Sequence, residues 1–341
     1  METSSLPSGE RLPLERSPLA RIPDRALKYG LTVLAALILV LIVYFFFRLV
    51  GEAAPAFEKE GILGFTFGKD WNVGAEKFGA LPLVIGTLIT SVIALLIGVP
   101  VAVAGAIYAT ELCPIRLRAA LTMLVDLLAA VPSVVYGLWG IFFLAPHLQG
   151  PEQWVADRLS FIPFIGGGLV TIPNYFVTGL VLAIMILPIV AAISREVMTT
   201  VPSDHKEAAL ALGATRWEMI RIAVLPYCRS GIVGGAMLGL GRAIGETIAV
   251  TILIGDAPQL SHHLFQQGYS LAAAIANEFG EAQGLHRSAL FAAGLVLFVL
   301  TLLVNGIARG LVIRAARASD SGPPRDGGSN ANTLADVAAG A

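Results

Sequence analysis

Six long runs of apolar residues constrain the fold of this chain more than any other feature. About 20 apolar residues in a helix suffice to cross the hydrocarbon core of a bilayer. The runs lie near residues 29–50, 82–109, 119–145, 163–193, 225–255 and 288–313. The whole chain of 341 residues is 56% hydrophobic and only 14% charged, which excludes an ordinary soluble domain. We therefore expect an all-α integral membrane protein with six transmembrane helices.

The distribution of Lys and Arg predicts the orientation of these helices. Basic residues are concentrated before the first run, after the second, between the fourth and fifth, and after the sixth, and the intervening loops hold fewer. The residues of the basic loops are Arg11, Arg16, Arg21, Arg25, Lys28, Arg116, Arg118, Arg195, Lys206, Arg216, Arg221, Arg229, Arg309, Arg314 and Arg317. The positive-inside rule therefore places both termini in the cytoplasm.

The same reading divides the chain into segments. Residues 1–28 and 318–341 are predicted to be disordered cytoplasmic tails, since they are rich in Pro, Ser, Gly and other polar residues. The first transmembrane helix is expected at 29–50 and an external loop at 51–81. Residues 82–317 form the predicted core of five transmembrane helices. A secretory signal has a shorter apolar core of about 7–15 residues, so we expect the first run to remain as an anchor.

The sequence holds no motif for covalent chemistry. Its Gly68-Lys69 pair is followed by Asp70, so no phosphate-binding loop ending in Gly-Lys-Ser/Thr is present. Cys113 and Cys228 fall on the predicted cytoplasmic side, where thiols stay reduced. We expect no catalytic site, no metal site and no cofactor bound by this chain.

A charged, helix-forming segment lies between the fourth and fifth apolar runs. We call residues 203–226 the elbow. Ser203 and Asp204 are predicted N-caps, Gly213 is the predicted stop, and a second helix is expected from Thr215 towards Leu225. A simple connection needs no ordered helix. The elbow therefore indicates a surface that another protein binds.

The elbow resembles the coupling segment of bacterial ABC-importer permeases, which reads Glu-Ala-Ala, three residues, Gly, nine residues, Ile-x-Leu-Pro. The matching residues are Glu207, Ala208, Ala209, Gly213, Leu225 and Pro226. The chain departs from this pattern at Ala223, where that family prefers Ile. The resemblance implies the type I permease fold, an ATPase contact at Glu207 and a sharp turn at Gly213.

Two charges lie within the fifth apolar run, in the stretch GLGRAIGETIAV. Arg242 and Glu246 each cost about 2.5–3.5 kcal/mol at mid-membrane on insertion scales. On a continuous helix they would share one face and could pair. Such a pair either locks helices together or lines a pathway. Gly239, Gly241, Ala243 and Gly245 favour the pathway, because they would leave the surrounding surface open.

An arginine in a membrane pathway indicates an anionic substrate, since its planar fork pairs bidentately with oxyanions. Glu246 would then either hold the guanidinium group or accept the proton that hydrogenphosphate carries and sulfate lacks. In the second case, an unpaired acceptor would penalise sulfate.

Three stretches resemble the PstC family of phosphate permeases: GRAIGETIAV, AAVPSVVYGLWG (129–140) and AIANEFGEA (274–282). The similarity extends from about residue 81 to residue 314. It implies that Arg242 and Glu246 are needed for phosphate passage. Ser133 and Tyr136 either face the same pathway or belong to an ordinary kink at Pro132, with Ser bonding the freed carbonyl.

Polar residues elsewhere leave similar alternatives open. Asn174, Tyr175 and Thr178 in the fourth run either face the pathway or are structural. The stretch 274–282 is predicted to form a short external helix, which either contacts a receptor or caps the bundle.

The resemblance implies a permease subunit of an ATP-driven phosphate importer in the bacterial cytoplasmic (inner) membrane. Its implied partners are a homologous PstA-like permease, a dimer of PstB-like ATPase subunits that uses ATP and Mg, an extracytoplasmic PstS-like phosphate-binding protein and the lipid bilayer, with no nucleic acid. Two alternatives stay open: an ABC permease for sulfate or molybdate, and an ion-coupled secondary carrier. The carrier would be expected to show inverted repeats, and none is evident by inspection.

Overall fold

A computed structural model describes residues 21–162, 164–166, 169–261 and 263–320, with side chains described from residue 26 to residue 310. The described residues divide into two compact units between Glu52 and Ala53, so the first helix belongs to both. The predicted tails lie outside the described residues, apart from 21–28 and 318–320, which are helical.

The regular secondary structure of the described residues is helical except for one small hairpin. The helices are α1 (Arg21–Glu60), α2 (Ile62–Phe67), α3 (Leu81–Ile107), α4 (Ile115–Ala130), α5 (Ser133–Trp139), α6 (Ala145–Arg158), α7 (Tyr175–Thr199), α8 (Ser203–Ala211), α9 (Arg216–Met219), α10 (Leu225–Gly245), α11 (Ile248–Ile254), α12 (Leu271–Glu278) and α13 (Gly284–Asp320). Strands β1 (Trp71–Asn72) and β2 (Lys77–Phe78) pair antiparallel, and π turns occupy Tyr108–Leu112, Gly140–Leu144 and Ile220–Val224.

Most predicted spans correspond to long helices, but their boundaries differ. Among the described residues, five helices are long and apolar enough to cross a membrane, and a sixth span exists if α4 and the segment Ser133–Arg158 count as one. These two segments meet at 90°. The first helix runs ten residues beyond the predicted boundary at residue 50, to Glu60. The fourth begins at Tyr175 rather than 163, because the Asn174 side chain caps it by accepting from the backbone N–H of Val177.

Helix α7 lies at the centre of the second unit and packs against α3 through glycines. A Cβ atom added to Gly179 of α7 would lie 2.5 Å from Cβ of Ile93, and one added to Gly98 of α3 would lie 3.0 Å from the carbonyl oxygen of Ala183. Such close approach is typical of membrane helices, where small residues let the backbones meet.

Helix α10 has one tightly packed glycine face and one open face. Gly231, Gly235 and Gly239 face α7, where an added Cβ at Gly231 would lie 2.4 Å from Cγ2 of Val197. At Gly234, Gly241 and Gly245 an added Cβ would meet no other described atom within 4 Å. The sequence-based prediction of an open surface is therefore correct for Gly241 and Gly245 and wrong for Gly239 and Ala243, which are buried.

Replacing Gly231 by Ala is expected to destabilise the protein by about 1–3 kcal/mol through overpacking. The neighbouring Val197 cannot easily move away, because its own Cβ would lie 2.9 Å from the new methyl group. Gly234→Ala is the matched control on the same helix, and the better helix propensity of Ala should leave stability unchanged or slightly raised. The apparent midpoint of thermal unfolding in detergent measures both. Equal midpoints for the two variants would contradict the assigned packing of α10 on α7.

Candidate functional site

The first half of the elbow is a short helix that ends in a glycine turn. Helix α8 begins at Ser203 with Pro202 as its N-cap, so the predicted capping by Ser203 or Asp204 is wrong. The fixed φ of Pro202 ends the preceding segment and leaves both polar residues inside the first turn. Gly213 has φ +89°, and its N–H donates to Leu210. The predicted turn at Gly213 is confirmed, since that backbone region favours glycine.

The second half of the elbow is continuous with the fifth span. The Thr215 hydroxyl accepts from the backbone of Glu218, whose carboxylate accepts in return from the backbone N–H of Thr215. This capping box starts a helix that passes through the π turn Ile220–Val224 into α10. The resulting stretch, Arg216–Gly245, is 30 residues long and extends about 45 Å. It joins the elbow directly to Arg242.

The elbow packs against the C-terminal ends of α3 and α7. Nζ of Lys206 lies 2.6 Å from a carboxylate oxygen of Glu111, and the side chain of Glu111 is only 8% exposed. A buried apolar cluster joins the elbow to both helices and to the start of α10. Its members are Ala106, Ile107, Met198, Val201, Ala209, Met219, Ile220, Val224 and Cys228.

The outer side of the elbow is free of these contacts. Glu207, Ala208 and Gly213 are exposed, whereas Ala209 is buried in the cluster. The elbow therefore presents Glu207 outward while Ala209 holds it to the bundle.

The helix that carries Arg242 ends before it reaches Glu246. Helix α10 terminates at Gly245, and Glu246 is extended, with ψ 130°. The predicted pairing of Arg242 with Glu246 on one helical face is therefore wrong, and no ion pair within 4 Å joins them in the described chain. Thr247 follows, and α11 then begins at Ile248. Irregular backbone of this kind is tolerated at membrane depth where it lines a cavity or is buried in protein.

Arg242 lies at one end of a groove between α10 and α13. The groove has a volume of about 600 Å³, and its polar lining consists of Ser230, Arg242, Asn305 and Arg309. Arg242 is exposed in the last turn of α10, where the partial negative charge of the helix end favours a cation. Its guanidinium group also interacts electrostatically with the phenol group of Tyr136. Tyr136 is thus within electrostatic range of Arg242, although no hydrogen bond or cation–π contact joins them among the described residues.

Tyr136 and Ser133 have different environments at the bend that follows α4. Pro132 lies at the bend, and the Tyr136 hydroxyl donates to the carbonyl oxygen of Leu128 at 2.9 Å. One alternative from the sequence is that Ser133 bonds a carbonyl group freed by the kink at Pro132. In the described residues the Ser133 side chain makes no hydrogen bond, and the Tyr136 hydroxyl bonds the carbonyl group of Leu128 instead.

The polar residues at the start of α7 are structural. The Thr178 hydroxyl donates to the carbonyl oxygen of Leu253 at 2.8 Å, which ties α7 to α11. Asn174, Tyr175 and Thr178 are almost completely buried, and Asn174 donates to Glu152. These contacts support the structural alternative over a place in the pathway.

The stretch 274–282 makes hydrogen bonds with other residues on the predicted external side. The Glu278 carboxylate accepts from Nε1 of Trp71 at 3.1 Å and lies 2.7 Å from Nε2 of His286. Burial raises the pKa of the neighbouring Asp256, and the Asn277 side chain lowers it to a smaller extent. These contacts favour the capping role for Glu278 and Asn277.

Comparison with known proteins identifies the family. The family model described as "Binding-protein-dependent transport system inner membrane component" matches residues 98–317. A phosphate transport system permease protein PstC from Mesorhizobium japonicum is 47% identical over 269 residues, covering 76% of this chain and 82% of that protein. A PstC from Pasteurella multocida is 48% identical over 258 residues, covering 74% and 80%. The chain belongs to the PstC family.

Solved structures share the fold of this PstC-family chain. A bacterial ABC transporter involved in the import of the acidic polysaccharide alginate has a TM-score of 0.55 and 18% identity, covering 85% of this chain and 98% of that chain. A second structure, with an alginate-bound periplasmic protein, has a TM-score of 0.57 and 18% identity, covering 87% and 98%. The expected multi-pass permease fold is confirmed.

Sequence reasoning missed several residues of this PstC-family site. Glu111 lies at the end of an apolar run, and only its distance from Lys206 in the fold reveals the ion pair. Arg309 was interpreted as an orientation signal alone, although it lines the same groove as Arg242. Asn305 lies one turn before it, and that i, i+4 spacing was the available signal.

Removing Lys206 is expected to destabilise the PstC-family fold at the elbow. Lys206→Met leaves the buried Glu111 carboxylate without its partner, at a cost of about 1–3 kcal/mol. Lys59→Met is the control, because its pair with Glu76 is exposed and such pairs contribute about 0–1 kcal/mol. Thermal unfolding midpoints compare the two, and the exchanged pair Lys206→Glu with Glu111→Lys should recover most of the loss. An equal effect of both single variants would contradict the structural role of the buried pair.

Proposed function

We propose that this chain is the permease subunit through which an ATP-driven importer moves inorganic phosphate across the bacterial cytoplasmic membrane. The observation that carries this proposal is the identity of 47–48% with phosphate permeases over about three quarters of the chain. The second half of the exposed elbow is continuous with the helix of Arg242. This gives the physical connection between an ATPase contact and the pathway that an ATP-driven permease requires.

Arg242 is the proposed first contact for phosphate within the membrane. Its planar guanidinium group donates parallel hydrogen bonds to two oxygens of an oxyanion. It is exposed beside a groove and has no carboxylate within 4 Å in the described residues, so its donors remain available. Ser133 and Tyr136 are proposed to border the same pathway. The electrostatic interaction between Tyr136 and Arg242 supports Tyr136 more directly than Ser133.

Glu246 is proposed to distinguish phosphate from sulfate. It is half-buried in the extended backbone that follows the helix of Arg242. A carboxylate there accepts a hydrogen bond from the P–O–H group that hydrogenphosphate carries at neutral pH. Sulfate has no such proton, so the acceptor is left unpaired and sulfate passage is disfavoured.

The elbow is proposed to transmit the ATPase cycle to this pathway. Glu207, Ala208, Ala209 and Gly213 form the proposed coupling site, with Glu207 and Ala208 facing the partner and Ala209 facing the bundle. Movement of the elbow would move Arg216–Gly245 as one helix, since the capping box and the π turn keep the stretch continuous.

The proposed assembly contains this chain, a homologous PstA-like permease, a PstB-like ATPase dimer and an extracytoplasmic PstS-like receptor. ATP and Mg are used by the ATPase subunits, and this chain carries no catalytic site of its own. Phosphate passes from the receptor to Arg242 when the bundle opens outward, and leaves on the cytoplasmic side after ATP hydrolysis.

Glu207→Arg is expected to remove the ATPase from the purified complex. A reversed charge at an exposed contact should lower the recovered ATPase about tenfold, because like charges across an interface repel. Quantitative co-purification in detergent measures the loss. Glu196→Arg is the matched control, since Glu196 is also exposed near the end of α7 but outside the elbow. Recovery of a full complement of ATPase with Glu207→Arg would refute the coupling site.

Glu246→Gln is expected to lower the preference for phosphate over sulfate about tenfold, because the amide offers sulfate an N–H donor. The readout is competition of sulfate with radiolabelled phosphate on the nucleotide-free complex without its receptor, so that the receptor's own selectivity does not contribute. Glu281→Gln, an exposed glutamate near α12, is the control. An unchanged preference in the Glu246 variant would remove its role as proton acceptor.

The same preparations separate the alternatives. Stronger competition by sulfate or molybdate than by phosphate in the wild-type complex would favour a permease for another oxyanion. Uptake by vesicles that contain the permeases but no ATPase would favour a secondary carrier.

A further inference from the structure

The groove beside Arg242 contains a second arginine that the sequence motifs do not cover. Arg309 and Asn305 lie on α13 and line the same cavity of about 600 Å³ as Arg242 and Ser230 of α10. Ser230 and Arg242 are 12 residues apart, about 18 Å along a helix. The cavity is therefore elongated along α10.

The two arginines approach the groove from opposite ends. Side chains of an α-helix lean towards its N-terminus. The predicted topology runs α10 outward and α13 inward, so Arg242 leans towards the cytoplasm and Arg309 leans away from it. Asn305 lies one turn from Arg309 on the same face, and both line the cavity. The donors of α13 thus converge on the end of the groove that is nearer the cytoplasm.

Neither arginine has a carboxylate partner among the described residues. Across the part of the chain that the structure describes, no Asp or Glu oxygen lies within 4 Å of Arg242 or Arg309, whereas Arg48 and Arg195 each have such a partner. An unpaired guanidinium group is costly at membrane depth and usually faces a pathway or a water-filled cavity, which applies to the intramembrane Arg242.

We propose that Asn305 and Arg309 form a second phosphate site at the cytoplasmic end of the groove, which receives the ion after Arg242. The site takes a phosphate oxyanion, with Arg309 as a bidentate donor and the Asn305 amide as a further donor. Two successive weak sites speed passage, because an ion must be held well enough to enter and weakly enough to leave. This inference rests on the proposed function of phosphate import.

A lipid headgroup carries the same phosphate chemistry, so the test must separate the two sources. Arginines near the cytoplasmic end of a span also attract anionic phospholipids. The proposal commits to inorganic phosphate as the ligand, because the groove continues from Ser230 to the intramembrane Arg242.

The test measures charge selectivity inside the groove of the complete transporter in nanodiscs. Cys113 and Cys228 are replaced by Ala, and a single cysteine is placed at Gly234, where an added Cβ meets no described atom within 4 Å. Rates of modification are compared for an anionic and a cationic methanethiosulfonate reagent. With Arg309 present, the anionic reagent should be favoured, and Arg309→Gln should lower the ratio of the two rates about fivefold.

Inorganic phosphate supplies the second readout. It should slow modification at residue 234 when Arg309 and Asn305 are intact, and it should lose most of that effect in Arg309→Gln. Arg229→Gln is the matched control, because Arg229 is exposed at a similar depth on α10 but outside the lining of this groove. If Arg309→Gln does not assemble, Asn305→Leu removes only the amide and should likewise weaken protection by phosphate.

The possible results separate this inference from the proposed function. A rate ratio or a phosphate protection that is unchanged by the variants overturns the second site. Protection that follows the content of phosphatidylglycerol instead of inorganic phosphate also overturns it, in favour of a lipid site. Failure of the wild-type transporter to import phosphate would refute the proposed function itself, whereas normal import together with unchanged selectivity in Arg309→Gln refutes the second site alone.

Discussion

The close approach of α10 to α7 determines how the rest of the site is arranged. In a bilayer, apolar side chains gain little from leaving lipid, so helices associate through tight packing and small residues. Gly231, Gly235 and Gly239 form the contact edge of α10 on the branched side chains of α7. This edge fixes the rotation of α10 about its axis. Arg242 follows the last glycine of this edge by three residues and lines the groove between α10 and α13.

The elbow depends on a second set of contacts that combines charge with apolar burial. The ion pair between Lys206 and Glu111 ties α8 to the end of α3, and Ala209 and Met219 belong to the apolar cluster that includes α7. Displacement of α8 therefore reaches α3 and α7 through side chains, and it reaches α10 through the Gly213 turn and the helix that follows it. A flexible loop could not transmit force in this way, since its residues would move independently of the bundle.

Long apolar runs and the glycine turn were predictable from sequence, because each reflects a local physical requirement. Lipid-exposed backbone must satisfy its own hydrogen bonds, as a long apolar helix does, and the positive φ at Gly213 favours glycine. The helix break at Glu246 was not predictable, since Gly245 and Thr247 are both tolerated within membrane helices. The N-cap of α8 was predicted at Ser203 or Asp204, but Pro202 occupies that position. A proline before a helix can mark its start as well as a capping side chain does. Arg309 was assigned only to orientation, because its shared groove with Arg242 depends on how two distant helices pack.

The unbroken stretch Arg216–Gly245 imposes a constraint on how the sequence of this protein can change. Each residue of an α-helix turns the chain by about 100°, so one inserted or deleted residue would rotate Arg242 away from the groove while leaving Glu207 in place. The number of residues between the π turn and Arg242 is therefore constrained as well as their identities. The π turn Ile220–Val224 is the one described irregularity within the stretch. Extra residues in helices are commonly absorbed at such turns, so tolerated changes in length should be confined to that turn, with substitutions permitted on either side.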